Sequence, residues 1–190
     1  MARPRSGDKR SAILAAATGI IAEHGLSAPT AKIARAAGVA DGSLFTYFPD
    51  KDDLLNQLYI ELKGGMRQRM ISSVSAGGSL KTRARQVWDN YIAWGISFPA
   101  KRKALAQLSV SDRITEKSRR AGEIGYGDVL GIMEEVSAQG GLRDRPPAFA
   151  SSIFQALAQT TMDFIFRNPR QAKRYREAGF EAFWRAIAGK

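Results

Sequence analysis

The nine residues from Ser43 to Lys51 hold three hydroxyls and an ammonium: Ser43, Thr46, Tyr47 and Lys51, with the bare Gly42 just ahead of them. Such groups hydrogen-bond to phosphate oxygens and to base edges. Other chemistries lack their parts. The chain has a single histidine, His24, beside Gly25, and no cysteine. A histidine-based triad or a histidine and thiolate metal cluster therefore cannot be assembled. Glu134 and Glu135 point to two different faces of a helix, and the glycines form no phosphate loop. The expectation is a protein that is not an enzyme and needs no cofactor or metal.

Those polar residues require elements that hold them outward. Almost the whole chain carries helical periodicity. Ile13, Ala16, Ala17, Ile20 and Ile21 share a face over 8–24, and Gly25 is a stop. Ser27 is the expected N-cap of a short second helix with Pro29 in its first turn. Ile33 and Ala36–Ala37 form its inner face, and Gly38 ends it. A third short helix over 41–48 stops at Pro49. Asp50 then caps a long fourth helix, which the pair Gly64–Gly65 interrupts or kinks.

Further helices are expected at about 79–98, 100–112, 115–139 and 147–188, the last split near Asn168–Pro169. No alternating strand pattern of useful length is present. The fold class is all-α: a three-helix helix-turn-helix head, then a larger helical bundle body, about nine helices together. The boundaries are 1–51 for the head and 52–190 for the body.

The second and third helices with the Gly38 turn make a helix-turn-helix unit. Gly38 supplies the left-handed turn, Ala34 allows close crossing, and Val39 and Leu44 lock the pair. A bare αα-hairpin satisfies the same constraints. The polar remainder favours nucleic acid: Gly42 lets backbone approach a phosphate, while Ser43, Thr46 and Tyr47 project outward. Lys51 sits where the helix dipole disfavours a cation, and a helix N-terminus with a lysine makes a phosphate site.

Composition agrees in sign without giving a location. The 190 residues carry 29 Lys and Arg against 18 Asp and Glu, a net charge of +11. Polyanionic partners suit that balance. Only seven basic and four acidic residues fall in 1–51, so most of the excess lies beyond, as in Asn168–Arg176. Arg3 and Arg5 form a basic arm able to reach an adjacent minor groove. The absence of cysteine and of any apolar run near ~20 residues leads to the expectation of a cytoplasmic protein that does not enter membranes.

The run Ile33–Leu55, "IARAAGVADGSLFTYFPDKDDLL", resembles the DNA-binding head of TetR-family transcriptional repressors. That family's pattern is an isoleucine–alanine pair, an alanine–glycine–valine turn, then glycine–threonine–leucine–tyrosine, two further residues and phenylalanine, with a lysine and leucines behind. The resemblance covers about the first fifty-five residues. It implies double-stranded DNA as partner, phosphate contacts from Thr30, Tyr47 and Lys51, and base reading around Asp41, Gly42, Ser43 and Thr46. It also implies that Lys32 stands at the edge of the major groove.

Three positions depart from the pattern. Phe45 replaces a usual tyrosine and loses a hydroxyl. Ala40 replaces a frequent serine cap, which leaves Asp41 as the expected N-cap. Asp41 itself stands where a basic or neutral residue is common.

The body has its own candidates. Trp88, Tyr91, Phe98, Met133 and Phe154 combine apolar bulk with polar tips, the lining of an effector pocket for a largely apolar small molecule. Ordinary core is the competing reading. The glycines at 122, 125, 127 and 131 weaken a helix, which suggests close helix approach or room for a ligand. Phe149, Ile153, Thr160, Phe164, Phe180 and Phe183 make the last two helices too apolar to be solvated all round. By resemblance these helices form a homodimer interface, with Ala156, Thr160 and Gly179 allowing close packing. Together these features suggest a repressor released from a pseudo-palindromic operator by an effector. The alternative is a helical small-molecule-binding or interaction protein without operator binding.

Overall fold

The computed structural model describes residues 6–75 and 77–188. The basic arm with Arg3 and Arg5 lies outside them. Ten α-helices and one short 3-10 turn are present among the described residues, with no strand. The first four are α1 (Ser6–His24), α2 (Thr30–Ala36), α3 (Asp41–Tyr47) and α4 (Lys51–Ile71). Then come α5 (Leu80–Ser97), α6 (Pro99–Ser109), α7 (Glu116–Glu123) and α8 (Gly127–Ala138). The last pair, α9 (Pro147–Arg167) and α10 (Ala172–Ala188), is joined through the 3-10 turn Pro169–Gln171. The helices divide into two compact units. One is the chain as far as Gly65 joined by Phe98–Glu123, and the other is Met66–Ser97 joined by the chain from Ile124 onward.

In the first unit α1 packs against α6 and α2, and α2 against α3. Ile13, Leu14, Ala17, Ile33, Leu44, Leu54 and Leu58 are fully buried there. Each such leucine or isoleucine is worth roughly 1.5–3 kcal/mol of burial. Gln107 of α6 donates to the Ile21 carbonyl at 3.1 Å, a second donor beside the Gly25 N–H at the end of α1.

The second unit is built on aromatic residues. Trp88 on α5 stacks on Phe183 at 5.7 Å and meets Phe154 edge-on at 5.5 Å. Phe154 also lies 5.2 Å from Phe183. The Trp88 indole N–H donates to the Arg176 carbonyl at 3.2 Å, so the buried polar atom is satisfied. Gly179 makes this possible. A Cβ there would stand 2.2 Å from Thr161 Oγ1 and 2.8 Å from Trp88 Cζ2, so α10 can approach α9 and α5 only as glycine. The close packing expected of Gly179 is therefore found.

Several boundaries differ from expectation, each for a local reason. The helix expected over 115–139 is two helices, because Gly125 at φ +81° breaks the chain between α7 and α8. The Ile124 carbonyl freed there accepts from Arg67 Nη1 at 2.6 Å. The described residues thus hold ten helices where about nine were expected. Helix α4 runs through Gly64 and Gly65 without interruption. Its surrounding leucines and methionines, Leu58, Leu62, Met66 and Met70, are all buried, and this packing carries the helix across the weak pair. Ser27 does not cap α2. Pro29 occupies the N-cap in an extended conformation, and no side chain caps the helix.

Candidate nucleic-acid interface

Helices α2 and α3 are joined by Ala37–Ala40, whose backbone bonds close the turn. Gly38 N–H reaches the Arg35 carbonyl at 3.1 Å and Val39 N–H the Ala34 carbonyl at 3.0 Å. Gly38 has φ +67°, the left-handed region where a side chain is strained. Ile33, Ala34, Leu44 and Phe48 are wholly buried beneath the turn. Arg10 of α1 lies over the Phe48 ring at 5.3 Å and donates to Gln57 at 3.1 Å, fixing the hub to α4.

What stands above the hub is polar. Asp41, Gly42, Ser43, Phe45 and Thr46 are exposed on α3, as are Lys32 and Arg35 on α2. Thr30, Tyr47 and Lys51 are half-buried around them. The structure thus brings the sequence candidates to the surface of one helix-turn-helix unit. Asp41 is not the N-cap of α3. Ala40 holds that place without a side-chain bond, and Asp41 lies in the first turn, where the helix dipole favours its charge. Phe45 is 47 % exposed, an aromatic ring standing among hydroxyls. Its missing hydroxyl was legible in the sequence, but its outward position was not.

Lys51 opens α4 and its ammonium donates to the Ala28 carbonyl at 2.7 Å, tying α4 to the turn before α2. Partial burial lowers its pKa, the positive charge of Arg113 lowers it further, and Asp52 works against both. Asp50 caps α4 as expected, accepting from the Asp53 N–H at 2.7 Å. Arg113 was missed by the sequence reading. It lies in the loop between α6 and α7, pairs with Asp52 and brings a second cation near Lys51. Asn56 fixes that loop, donating to the Arg113 carbonyl at 2.9 Å and accepting from the Thr115 N–H at 2.9 Å. Fifty-seven residues separate Asn56 from Arg113, so no local pattern could signal the pairing.

The body candidates fall differently. Trp88, Tyr91, Met133 and Phe154 belong to the second unit, and Phe98 to the first. Trp88, Phe154 and Met133 are buried, and Tyr91 lies against Phe154 at 5.4 Å. Phe180 and Phe183 correct the expectation of an outward face. At 1 % and 0 % exposure they are spent on the Trp88 cluster and cannot meet a partner. Phe149 and Phe164 are 50 % and 46 % exposed, Thr160 is exposed and Ile153 is half-buried. No group of three or more metal-ligating side chains occurs among the described residues. No described helix is long and apolar enough to cross a membrane.

Comparison with known proteins places this geometry. Residues 13–58 match the model of bacterial regulatory proteins of the tetR family. A putative tetR-family transcription regulator from Shewanella sp. PV-4 is 30% identical, with a TM-score of 0.84 over 94% of this chain and 97% of that one. The fatty acid metabolism regulator protein of Bacillus subtilis (strain 168) is 29% identical over 136 residues, 70% of each chain. The regulator FadR from Bacillus subtilis, solved in complex with stearoyl-CoA, shares the fold at 20% identity and a TM-score of 0.68, covering 95% of this chain and 98% of that one. With its exposed α3 face on a buried helix-turn-helix hub, the chain belongs to the TetR family of bacterial transcription regulators.

Proposed function

We propose that the protein is a homodimeric repressor that binds a pseudo-palindromic operator through residues 1–51 and is released by a small molecule held in residues 52–190. One observation supports this above all. The exposed polar face of α3 stands on a hub in which Ile33, Leu44 and Phe48 are fully buried. A hairpin kept only for packing has no need of that face.

Asp41, Gly42, Ser43 and Thr46 read base edges from the N-terminal part of α3, and Asp41 accepts from a cytosine amino group. Thr30, Tyr47 and Lys51 hold phosphates, with Lys32 at the groove edge. Lys51 has three N–H donors. One is engaged by the Ala28 carbonyl, and the others remain for a phosphate oxygen.

The dimer forms through α9 and α10. Phe149, Ile153, Ala156, Thr160 and Phe164 recur at intervals of three and four on α9, a single stripe that carries two half-exposed aromatic rings. The effector is a largely apolar small molecule, a reading supported by the stearoyl-CoA complex of the Bacillus subtilis regulator.

Nuclease protection of genomic fragments, with sedimentation of the same sample, tests the reading. Two protected half-sites about one helical turn (~10 bp) apart are expected, bound by a dimer. A monomer at micromolar concentration that retains no DNA at low salt overturns it and leaves the helical carrier or interaction protein.

A further inference from the structure

Three carboxylates, Asp50, Asp52 and Asp53, flank Lys51 in the sequence. Against one ammonium they make a poor reception for a phosphate. A second cation reaches this place from elsewhere in the chain. Arg113, in the loop between α6 and α7, pairs through Nε with Asp52. All of these residues belong to the first unit, where Phe98–Glu123 joins the helix-turn-helix.

The loop that carries Arg113 is firmly braced. Asn56 donates to the Arg113 carbonyl at 2.9 Å and accepts from the Thr115 N–H at 2.9 Å. Arg119 donates to the Ser109 carbonyl at 2.8 Å and to the Ser111 carbonyl at 2.9 Å. Ile114 is buried beneath. These bonds give the Arg113 side chain a direction. Its carbonyl sits at Asn56 and its Nε at Asp52, one helical turn nearer the start of α4. The guanidinium therefore extends toward the Lys51 end of the helix. Its charge is felt there, since the Lys51 pKa is lowered first by burial and then by Arg113. Neither terminal nitrogen of Arg113 has a hydrogen-bond partner among the described residues.

We infer that Arg113 is a phosphate-binding residue of the DNA interface, taking the same stretch of backbone as Lys51. The inference rests on the DNA-binding reading above and carries the interface beyond residues 1–51. Two cations held near each other repel, and an anion between them relieves the repulsion. A guanidinium suits the task because its planar fork can meet two phosphate oxygens at once. Asp52 engages only Nε, so the edge formed by Nη1 and Nη2 is left for those oxygens.

The test measures binding of the full chain to a random-sequence duplex across a salt series. Arg113→Gln is expected to weaken binding about tenfold at low salt, the scale of one charge-assisted contact. The slope of log affinity against log salt should fall as far as it does for Lys51→Ala. Arg113→Lys, which keeps the charge, should keep the slope. An arginine that only neutralised Asp52 would be dispensable once that carboxylate is gone. In an Asp52→Asn background, Arg113→Gln should therefore still lower the slope, with the unfolding midpoint close to that of Asp52→Asn alone. Should Arg113→Gln by itself fail to fold, this second comparison decides, because it leaves no Asp52 charge unpaired. A slope unchanged by Arg113→Gln in either background overturns the assignment, as does a slope lost equally in Arg113→Lys. A parent chain that retains no duplex at low salt overturns the DNA-binding reading itself.

Discussion

Helix α3 and helix α10 treat their aromatic residues in opposite ways. On α3, Phe45 faces outward among hydroxyls, and only Leu44 of the helix is buried. On α10, Phe180 and Phe183 turn inward against Trp88, and the exposed positions near them are alanine or charged. A short surface helix holds its register with one or two anchors and keeps the rest of its side chains for a partner. A helix inside a bundle gives its large side chains to the core. Substitutions should therefore separate: those in the Trp88 cluster act on stability, those on α3 act on recognition.

The largest effect is expected at Trp88. Its replacement in Trp88→Ala leaves a cavity between Phe154, Phe180 and Phe183, with a loss of about 3–5 kcal/mol in denaturant unfolding. Ser43→Ala, on the exposed face of α3, should stay within about 0.5 kcal/mol of the parent. Equal losses would erase the distinction between the two regions.

The next effect divides an exposed ring on α9 from a buried ring on α10. Phe164→Ala removes a half-exposed ring from the proposed interface and should weaken dimerisation by about 2 kcal/mol in sedimentation equilibrium. Phe180→Ala should lower the unfolding midpoint instead. Dissociation caused by Phe180→Ala alone, with Phe164→Ala silent, would reverse the assignment of the two residues.

Within the head, Lys51→Ala should weaken specific and non-specific DNA binding alike. The slope of log affinity against log salt should fall by about one, because one phosphate contact is lost. An unchanged slope would make Lys51 only a brace for the Ala28 carbonyl.

The smallest effect concerns the proton on that lysine. Burial and the neighbouring Arg113 hold its pKa below the usual 10.5. Between that lowered value and 10.5 the unfolded chain binds more protons than the folded one. The stability contribution thus rises as pH increases through this alkaline window and is absent below it. NMR of the Lys51 ε-methylene should give a midpoint below 10.5 in the free protein. That midpoint should move upward on DNA, where a phosphate favours the charged form. A midpoint at or above 10.5 without DNA would contradict the buried placement.

The head was largely legible because its constraints are local. Gly38, Leu44, Pro49 and Asp50 each act within a few residues, and each does what its chemistry requires. Two caps misled for an equally local reason. Ser27 and Asp41 are good capping residues, but Pro29 and Ala40 take the extended conformation just before each helix. In the second unit the spacing of Phe180 and Phe183 revealed an apolar stripe without saying what it covers. Gly179 decides that, by letting α10 close on Trp88 and Thr161, and both lie far away in the chain. Gly125 was visible as a helix-weakening residue, but the freed Ile124 carbonyl accepts from Arg67, which lies 57 residues away in the chain.

Binding selection from random duplexes, run in parallel on the parent and Thr46→Ala, tests the role of α3 most directly. The parent should enrich a pseudo-palindrome, and Thr46→Ala should change the preference at one position in each half-site, by about 1–3 kcal/mol of discrimination, without loss of folding. Identical selected sequences from the two proteins, or no enrichment by the parent, would contradict the assignment of the exposed α3 face to base reading.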